Sequence, residues 1–475
     1  MTVNPDLKPD LKPGPKPDVL ALLGDRASID RQPAIRIEPA GDAATVAAYR
    51  SLRTQAFVHE QNLFTGHDLD DRDADPRTVV LVARDRDGAV LGGVRLGPVD
   101  DGEDLGWWTG GRLVVRPGSR GNVGTALVRA ACAYAENAGV LRFEATVRAP
   151  VEQLFTRLGW QTVQPVTVAG AAHVLMRWPI GRIAALAAAT KSALGSLLPG
   201  LTGVPGFVGD DGVPVPGSDL VAACDAIVPS MVERDPDWAG WCSVLVNVND
   251  LAAMGAEPVG LLDALGARDV SFAKRVLAGL TRASQAYGVP VLGGHTQLGV
   301  PAALTVTALG RATAPVPGGG GRPGHQVRLT ADLGGRWRPG YAGRQWDSTT
   351  SRRSPELAAM VGAVARARPA AAKDVSMAGI AGTLGMLAEA SGCGAELDVA
   401  RVPRPAAASV GDWLTCFPGF AMVTADEPDA PPLPAGPATT VACGRLVAGQ
   451  GVTLRWPDGQ TSRVIEGGVT GLGAR

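Results

Sequence analysis

The sequence predicts an α/β mixed-sheet domain followed by a two-lobed α+β module. Three observations carry that prediction. At 475 residues the chain exceeds one ordinary core, and its length alone suggests about two to four domains. Strand-like and helix-like apolar patterns alternate along nearly all of it. The stretch ATAPVPGGGGRPG (312–324) has no periodicity and many breakers, so it divides the second half into two lobes. The expected organisation is a proline-rich tail (1–30), a first domain (31–180), a first lobe (181–311), a linker (312–324) and a second lobe (325–475).

Taken in order, the tail MTVNPDLKPDLKPGPKPD has no apolar core and reads as extended and mobile. The helix-like AATVAAYRSLRTQAFVHEQ follows, then the acidic HDLDDRDADP, which reads as a solvated loop facing a cationic substrate. An EF-hand loop starting at Asp71 would need Gly at Pro76 and Glu at Val82, so calcium does not fit. TVVLVARD and AVLGGVRLG flank Asp87-Gly88, the signal for a hairpin. The strand GGRLVV, the turn RPGSRGNVG and the helix TALVRAACAYAENAG come next. The strand RFEATV, the helix VEQLFTRLGW and a strand near HVLMRW complete the domain. The second region opens on IAALAAATKSALGSLL, whose large residues at 183, 186, 194 and 197 suit an amphipathic helix. Beyond it, strand and helix signals alternate through SFAKRVLAGLTRASQAYG and VPVLGGHT, and after the linker through QVRLTADLG and IAGTLGMLAEASG.

Composition narrows the function classes. Apolar residues make up 45% and charged residues 19%, a globular balance. Lys plus Arg (45) nearly cancels Asp plus Glu (46), which leaves no field to hold a nucleic acid. Cys132, Cys224, Cys242, Cys393, Cys416 and Cys443 lie far apart, with no CxxC pair and no zinc spacing. A reduced, cytoplasmic protein is expected. Lys191 interrupts the apolar run after Ile183, so no membrane span is expected.

The first constellation is RPGSRGNVGTALVR (Arg116–Arg129), where a strand gives way to a helix. Glycines there let backbone N–H groups approach a phosphate, and a helix N-terminus favours its charge. With the order strand, loop, long helix, strand, short helix and Leu158-Gly159-Trp160, this region resembles the GNAT acyltransferase superfamily. RTQAFVHEQ (Arg53–Gln61) is similar to the first helix of GNAT members that carry R-x-x-x-F-V-x-E-Q. The resemblance implies that acetyl-CoA would sit against Arg120, Gly121, Asn122, Val123, Gly124 and Thr125. Glu60 and Glu144 become the candidate bases for an attacking amine. Val123 and Thr125 stand where family members carry the loop glycines, and Phe155 lies where many carry a tyrosine acid.

The second constellation places Asp or His beside small residues in GDDG (209–212), CDAIVPS, VNVNDLAAMGAEP (246–258), LGGHT (292–296) and KDVSMAG (373–379). Converging carboxylates with phosphate oxygens are what magnesium prefers. In this order the stretches resemble the AIR synthase (PurM-like) superfamily, with 247–258 the most specific piece. The resemblance implies ATP and Mg2+, with Asp210, Asp211, Asp225, Asp250 and Asp374 as metal or phosphate ligands. Asn247, Gly293, Gly294 and Thr296 would line the nucleotide, His295 would serve chemistry, and the first lobes would pair in a homodimer. Met377 departs from the kinase-like D-x-S-D-G, and LTGVPGFVG lacks the Cys and Lys of selenophosphate synthetases.

The expected function is a bifunctional small-molecule enzyme, an acetyl-CoA-dependent N-acyltransferase fused to an ATP- and Mg2+-dependent module. The alternative is that one or both domains are non-catalytic ligand-binding sensors.

Overall fold

The computed structural model describes residues 35–119, 122–198, 200–201 and 203–473. The tail expected at 1–30 lies outside these. The described chain forms two compact units, one of residues to Gly97 with Trp108–Ala135 and Glu144–Trp178, the other of Pro98–Trp107, Glu136–Phe143 and Pro179 onward.

The first domain is built on one seven-stranded sheet in the order β1-β2-β3-β4-β5-β7-β6. Its elements are β1 (Arg36–Pro39), α1 (Ala43–Arg53), β2 (Val79–Arg84), β3 (Val90–Pro98), β4 (Trp107–Val115), α2 (Val123–Asn137), β5 (Arg142–Arg148), α3 (Glu152–Arg157), β6 (Gln161–Val168) and β7 (Ala171–Trp178). The hairpin expected at Asp87-Gly88 joins antiparallel β2 and β3, with Gly88 at φ +85°. In α2 the buried residues Val123, Leu127, Val128, Ala131, Cys132 and Ala135 form one helical stripe. The helix read through His59 is regular only to Arg53, after which Thr54–Glu60 continues in wider π-type turns.

The acidic loop corrects the sequence reading. Asp68 and Asp73 are not solvated: the fully buried Arg53 donates to Asp68 (2.7 Å) and Asp73 (2.6 Å). Arg95 pairs with Asp70 (2.5 Å) and Asp73 (2.7 Å), and Arg112 reaches Asp68 (3.2 Å) and Asp70 (3.1 Å). Burial alone would raise Asp73, but hydrogen bonding from Arg53 and the Arg95 charge hold its carboxyl well below the usual range. These aspartates are consumed inside the fold.

The second unit opens with α4 (Arg182–Lys191) and α5 (Leu194–Leu197), so the expected helix breaks after Lys191. Next come β8 (Val213–Pro214), β9 (Leu220–Ala226), α6 (Pro229–Arg234), α7 (Pro236–Ala253), β10 (Glu257–Ala267), α8 (Val270–Tyr287), β11 (Val291–Leu298) and β12 (Ala303–Arg311). The strands make a sheet in the order β11-β10-β12-β9-β8, with β10 parallel to β11 and antiparallel to β12. Helix α7 is apolar nearly all round and lies in the core. Asp269 caps α8 by accepting from the Phe272 N–H (2.7 Å), and Gly288 ends it at φ +69°. Where α7 and α8 touch, a Cβ at Gly240 or Gly279 would strike backbone of the other helix.

The second lobe contains β13 (Gln326–Ala331), β14 (Arg336–Trp337), β15 (Gln345–Asp347), α9 (Ser354–Val361), α10 (Ala363–Ala367), β16 (Ala371–Asp374), α11 (Gly379–Ala390), β17 (Gly394–Asp398), α12 (Val410–Thr415), β18 (Phe417–Pro418), β19 (Ala421–Asp426), β20 (Thr439–Val447), β21 (Val452–Arg455) and β22 (Thr461–Ile465). Seven of these form the sheet β16-β19-β13-β20-β17-β21-β22, which puts β16 at an edge. Residues 312–324 form no helix or strand, yet they are anchored: Val316 N–H donates to Met254 O (3.0 Å) and Gly321 N–H to Ser391 Oγ (3.1 Å). After β22, the Glu389 carboxylate accepts from the N–H groups of Val469, Thr470 (2.7 Å each), Gly471 (2.8 Å) and Gly473 (3.3 Å). Gly195 N–H meanwhile donates to Thr470 O (2.7 Å).

Candidate functional site

The loop before β8, the C-terminal half of α7 and the end of β16 bring carboxylates together. One oxygen each of Asp211, Asp250 and Asp374 lies within 4.8 Å of the others. Asp250 and Asp374 are 7% and 3% exposed, and no Lys, Arg or His among the described residues forms an ion pair with either. Desolvation, reinforced by the neighbouring carboxylates, pushes both well above the usual carboxylate range. One turn before Asp250, the fully buried Asn247 donates to Ser243 O (2.9 Å), which fixes the amide and leaves Oδ1 without a donor. Two buried carboxylates without an ion-pair partner and an orphaned acceptor fit a hard divalent ion.

Lys373 completes this half of the site. It is buried, and its Nζ donates to Gly209 O (2.8 Å) and Asp211 Oδ1 (3.0 Å), with Asp210 Oδ1 at 3.8 Å. Asp211 Oδ2 accepts from Asp374 N–H (2.9 Å), and Asp210 Oδ2 from Gly318 N–H (3.0 Å). Burial opposes the ammonium, but Asp211 and Asp210 more than offset it and Lys373 titrates above its ordinary value. Burial raises Asp210 despite Lys373. Sequence reasoning missed this lysine; its signal was a lysine beside Asp374 at the end of the small-residue run Ala370–Ala372. Asp225, on β9, lies outside the trio, raised by burial and by Asp211 against the pull of Lys191.

The LGGHT stretch falls in strand β11. Gly293, Gly294, His295 and Thr296 sit in exposed edge strand β11, where Asp263 to Leu265 of β10 pair with Gly294 to Thr296. A Cβ at Gly294 would clash with Asp263, so this glycine serves close strand packing.

In the first domain, Arg120 and Gly121 lie outside the described residues. Asn122 is exposed and begins α2, accepting from Ala126 N–H (2.9 Å). Val123 is 1% exposed, so its side chain fills the core. Gly124 and Thr125 are half-buried in the first turn, where helix N–H groups lack intrahelical partners. Glu144 is 4% exposed and accepts two bonds from Arg177 on β7, at 2.6 and 2.9 Å. Glu60 is exposed and contacts Gln55 (3.2 Å). Phe155 packs edge-on against Trp160 at 5.4 Å.

Fold and site together define a mixed-sheet domain joined to a two-lobed PurM-like module with a buried carboxylate cluster. Residues 46–160 match the acetyltransferase (GNAT) family, 209–312 the N-terminal domain of AIR synthase related protein, and 342–456 its C-terminal domain. The chain therefore belongs to the AIR synthase related family, with a GNAT domain ahead of it. It is similar to the uncharacterized protein sll0787 of Synechocystis, 37% identical over 229 residues, 46% of this chain and 70% of that one. It is also similar to thiamine-monophosphate kinase of Methanospirillum hungatei, 32% identical over 219 residues, 42% of this chain and 75% of that one. Among solved structures it resembles tt0281 from Thermus thermophilus, with TM-score 0.44 and 26% identity over 55% of this chain and 95% of that one.

Proposed function

We propose that the second unit is an ATP-dependent enzyme acting on a small metabolite, with Asp211, Asp250 and Asp374 holding a magnesium ion. The observation that carries this reading is the pair of buried carboxylates, Asp250 and Asp374, with which no Lys, Arg or His among the described residues forms an ion pair. A divalent ion bound there would supply charge neutralisation and orientation for phosphate oxygens. Helix α7 and strand β16 hold two of its ligands on rigid elements, while Asp211 comes from a loop tied down through Lys373 and the Asp374 N–H. The kinase among the relatives supports the same chemistry. Calorimetry tests it: Mg2+ with a non-hydrolysable ATP analogue binds the native protein, and Asp250→Asn or Asp374→Asn abolishes binding. Unchanged affinity in both variants would defeat the reading.

For the first domain we propose acetyl-CoA binding at Asn122 to Thr125, supported by the first turn of α2, where N–H groups lack partners within the helix. The ion pair of Glu144 with Arg177 occupies that carboxylate and disfavours base catalysis there. Glu60, exposed, is the better-placed candidate base. Acetyl-CoA should raise the melting temperature of this domain; no shift at millimolar concentration counts against it.

Pairing of two copies through β10 and β11 is part of the proposal. The apolar side chains Val259, Leu262, Val291, Leu292 and Leu298 are all exposed there, on a parallel pair with an open edge. No helix among the described residues is long and apolar enough to cross a membrane.

A further inference from the structure

Lys373 divides the carboxylate cluster into two unequal halves. On one side its Nζ takes Gly209 O and Asp211 Oδ1 and stands 3.8 Å from Asp210 Oδ1. Asp210 spends its other oxygen on Gly318 N–H. The lysine side chain is 2% exposed, as is that of Asp210, so neither turns readily to solvent. Position 318 is shaped to this arrangement: a Cβ there would run into the Asp210 carboxylate and lie 2.9 Å from Lys373 Cε. On the other side remain Asp250, Asp374 and the second oxygen of Asp211. Three carboxylate ligands suit one magnesium ion that completes its octahedron with water or phosphate oxygens. The oxygens a second ion would draw on, those of Asp210 and Asp211, already face Lys373.

We propose that Lys373 is the resident cation of the cluster, filling the place of a second divalent ion, so that the site takes one divalent ion per chain. In this arrangement Asp210 seats the lysine and is not a metal ligand. Lys373 acts as a positioning residue, holding Asp211 beside Asp250 and Asp374. The inference rests on the magnesium reading given above and goes beyond it by fixing the number of ions and the division of labour among the aspartates.

The experiment is a titration of the full-length protein with Mn2+ alone, bound ion being counted by electron paramagnetic resonance. The wild type should bind one Mn2+ per chain. Asp210→Asn should also bind one, weakened by no more than the roughly 10–100-fold that a ligand's supporting partner is worth. Asp250→Asn should bind none. Lys373→Ala, which frees oxygens of Asp210 and Asp211, should bind two. A wild-type count of two that falls to one in Asp210→Asn overturns the inference and leaves the magnesium reading standing. A wild-type count of zero overturns both. If Lys373→Ala folds and still binds one ion, the lysine does not stand in for a second; if it does not fold, the wild-type and Asp210→Asn counts decide.

Discussion

Arg53 illustrates what one residue can hide. Its guanidinium is wholly buried between Asp68 and Asp73, and Arg95 and Arg112 close the network. Replacing a single partner strands a buried charge, so Arg53→Ala should destabilise the first domain by about 3–5 kcal/mol in urea unfolding. The network also sets an acid limit. Asp70 and Asp73 titrate lower in the folded domain than in the unfolded chain, where the ordinary value is about 3.9. Their stabilisation is therefore complete above that value and is lost as pH falls through the depressed ones. Melting temperature should drop more steeply between about pH 4 and about pH 2 in the wild type than in Asp73→Asn. The acidic run was visible in the sequence, but its fate was not. Arg53, Arg95 and Arg112 are scattered over three elements, and only the fold brings them to one place. Asp211, Asp250 and Asp374 were legible because each sits in a distinctive short stretch; Lys373 was not, because a lone lysine usually marks a surface.

At the scale of elements, α8 was readable end to end, with Asp269 before it, an apolar stripe within it and Gly288 after it. Asp269→Ala should cost about 1 kcal/mol, measured by thermal or denaturant unfolding. Gly279→Ala should be the more damaging change, because the added methyl meets the α7 backbone rather than a side chain that can rotate away. An α8 glycine tuned to α7 cannot be recognised from α8 alone, which is why helix contacts escape periodicity. The same holds for residues 312–324. Their breakers correctly signalled a segment without helix or strand, but not that a Cβ at Gly319 or Gly320 would meet the backbone at Ala390 or Ala370. LGGHT shows the same limit, since the close approach of Gly294 to Asp263 depends on the pairing of β11 with β10.

The whole molecule consists of two compact units with separate cores, so its unfolding need not be a single step. Differential scanning calorimetry should show ligand-selective shifts. Mg2+ with an ATP analogue should raise the transition of the second unit, by about 2.7 kcal/mol at a hundredfold excess over Kd, and acetyl-CoA that of the first. A single transition moved equally by both ligands would contradict this independence. The glycine-rich run after β22 carries a different consequence. It gives its N–H groups to Glu389, meets Gly195 through Thr470 and places Leu472 against Gly209, whose carbonyl holds Lys373. A growing chain leaves the ribosome from the N-terminal end, so the first domain can fold while the rest is still being made. The second unit instead waits for residues 469–473, and the lysine and carboxylates beside Gly209 reach their final setting only after those residues have emerged.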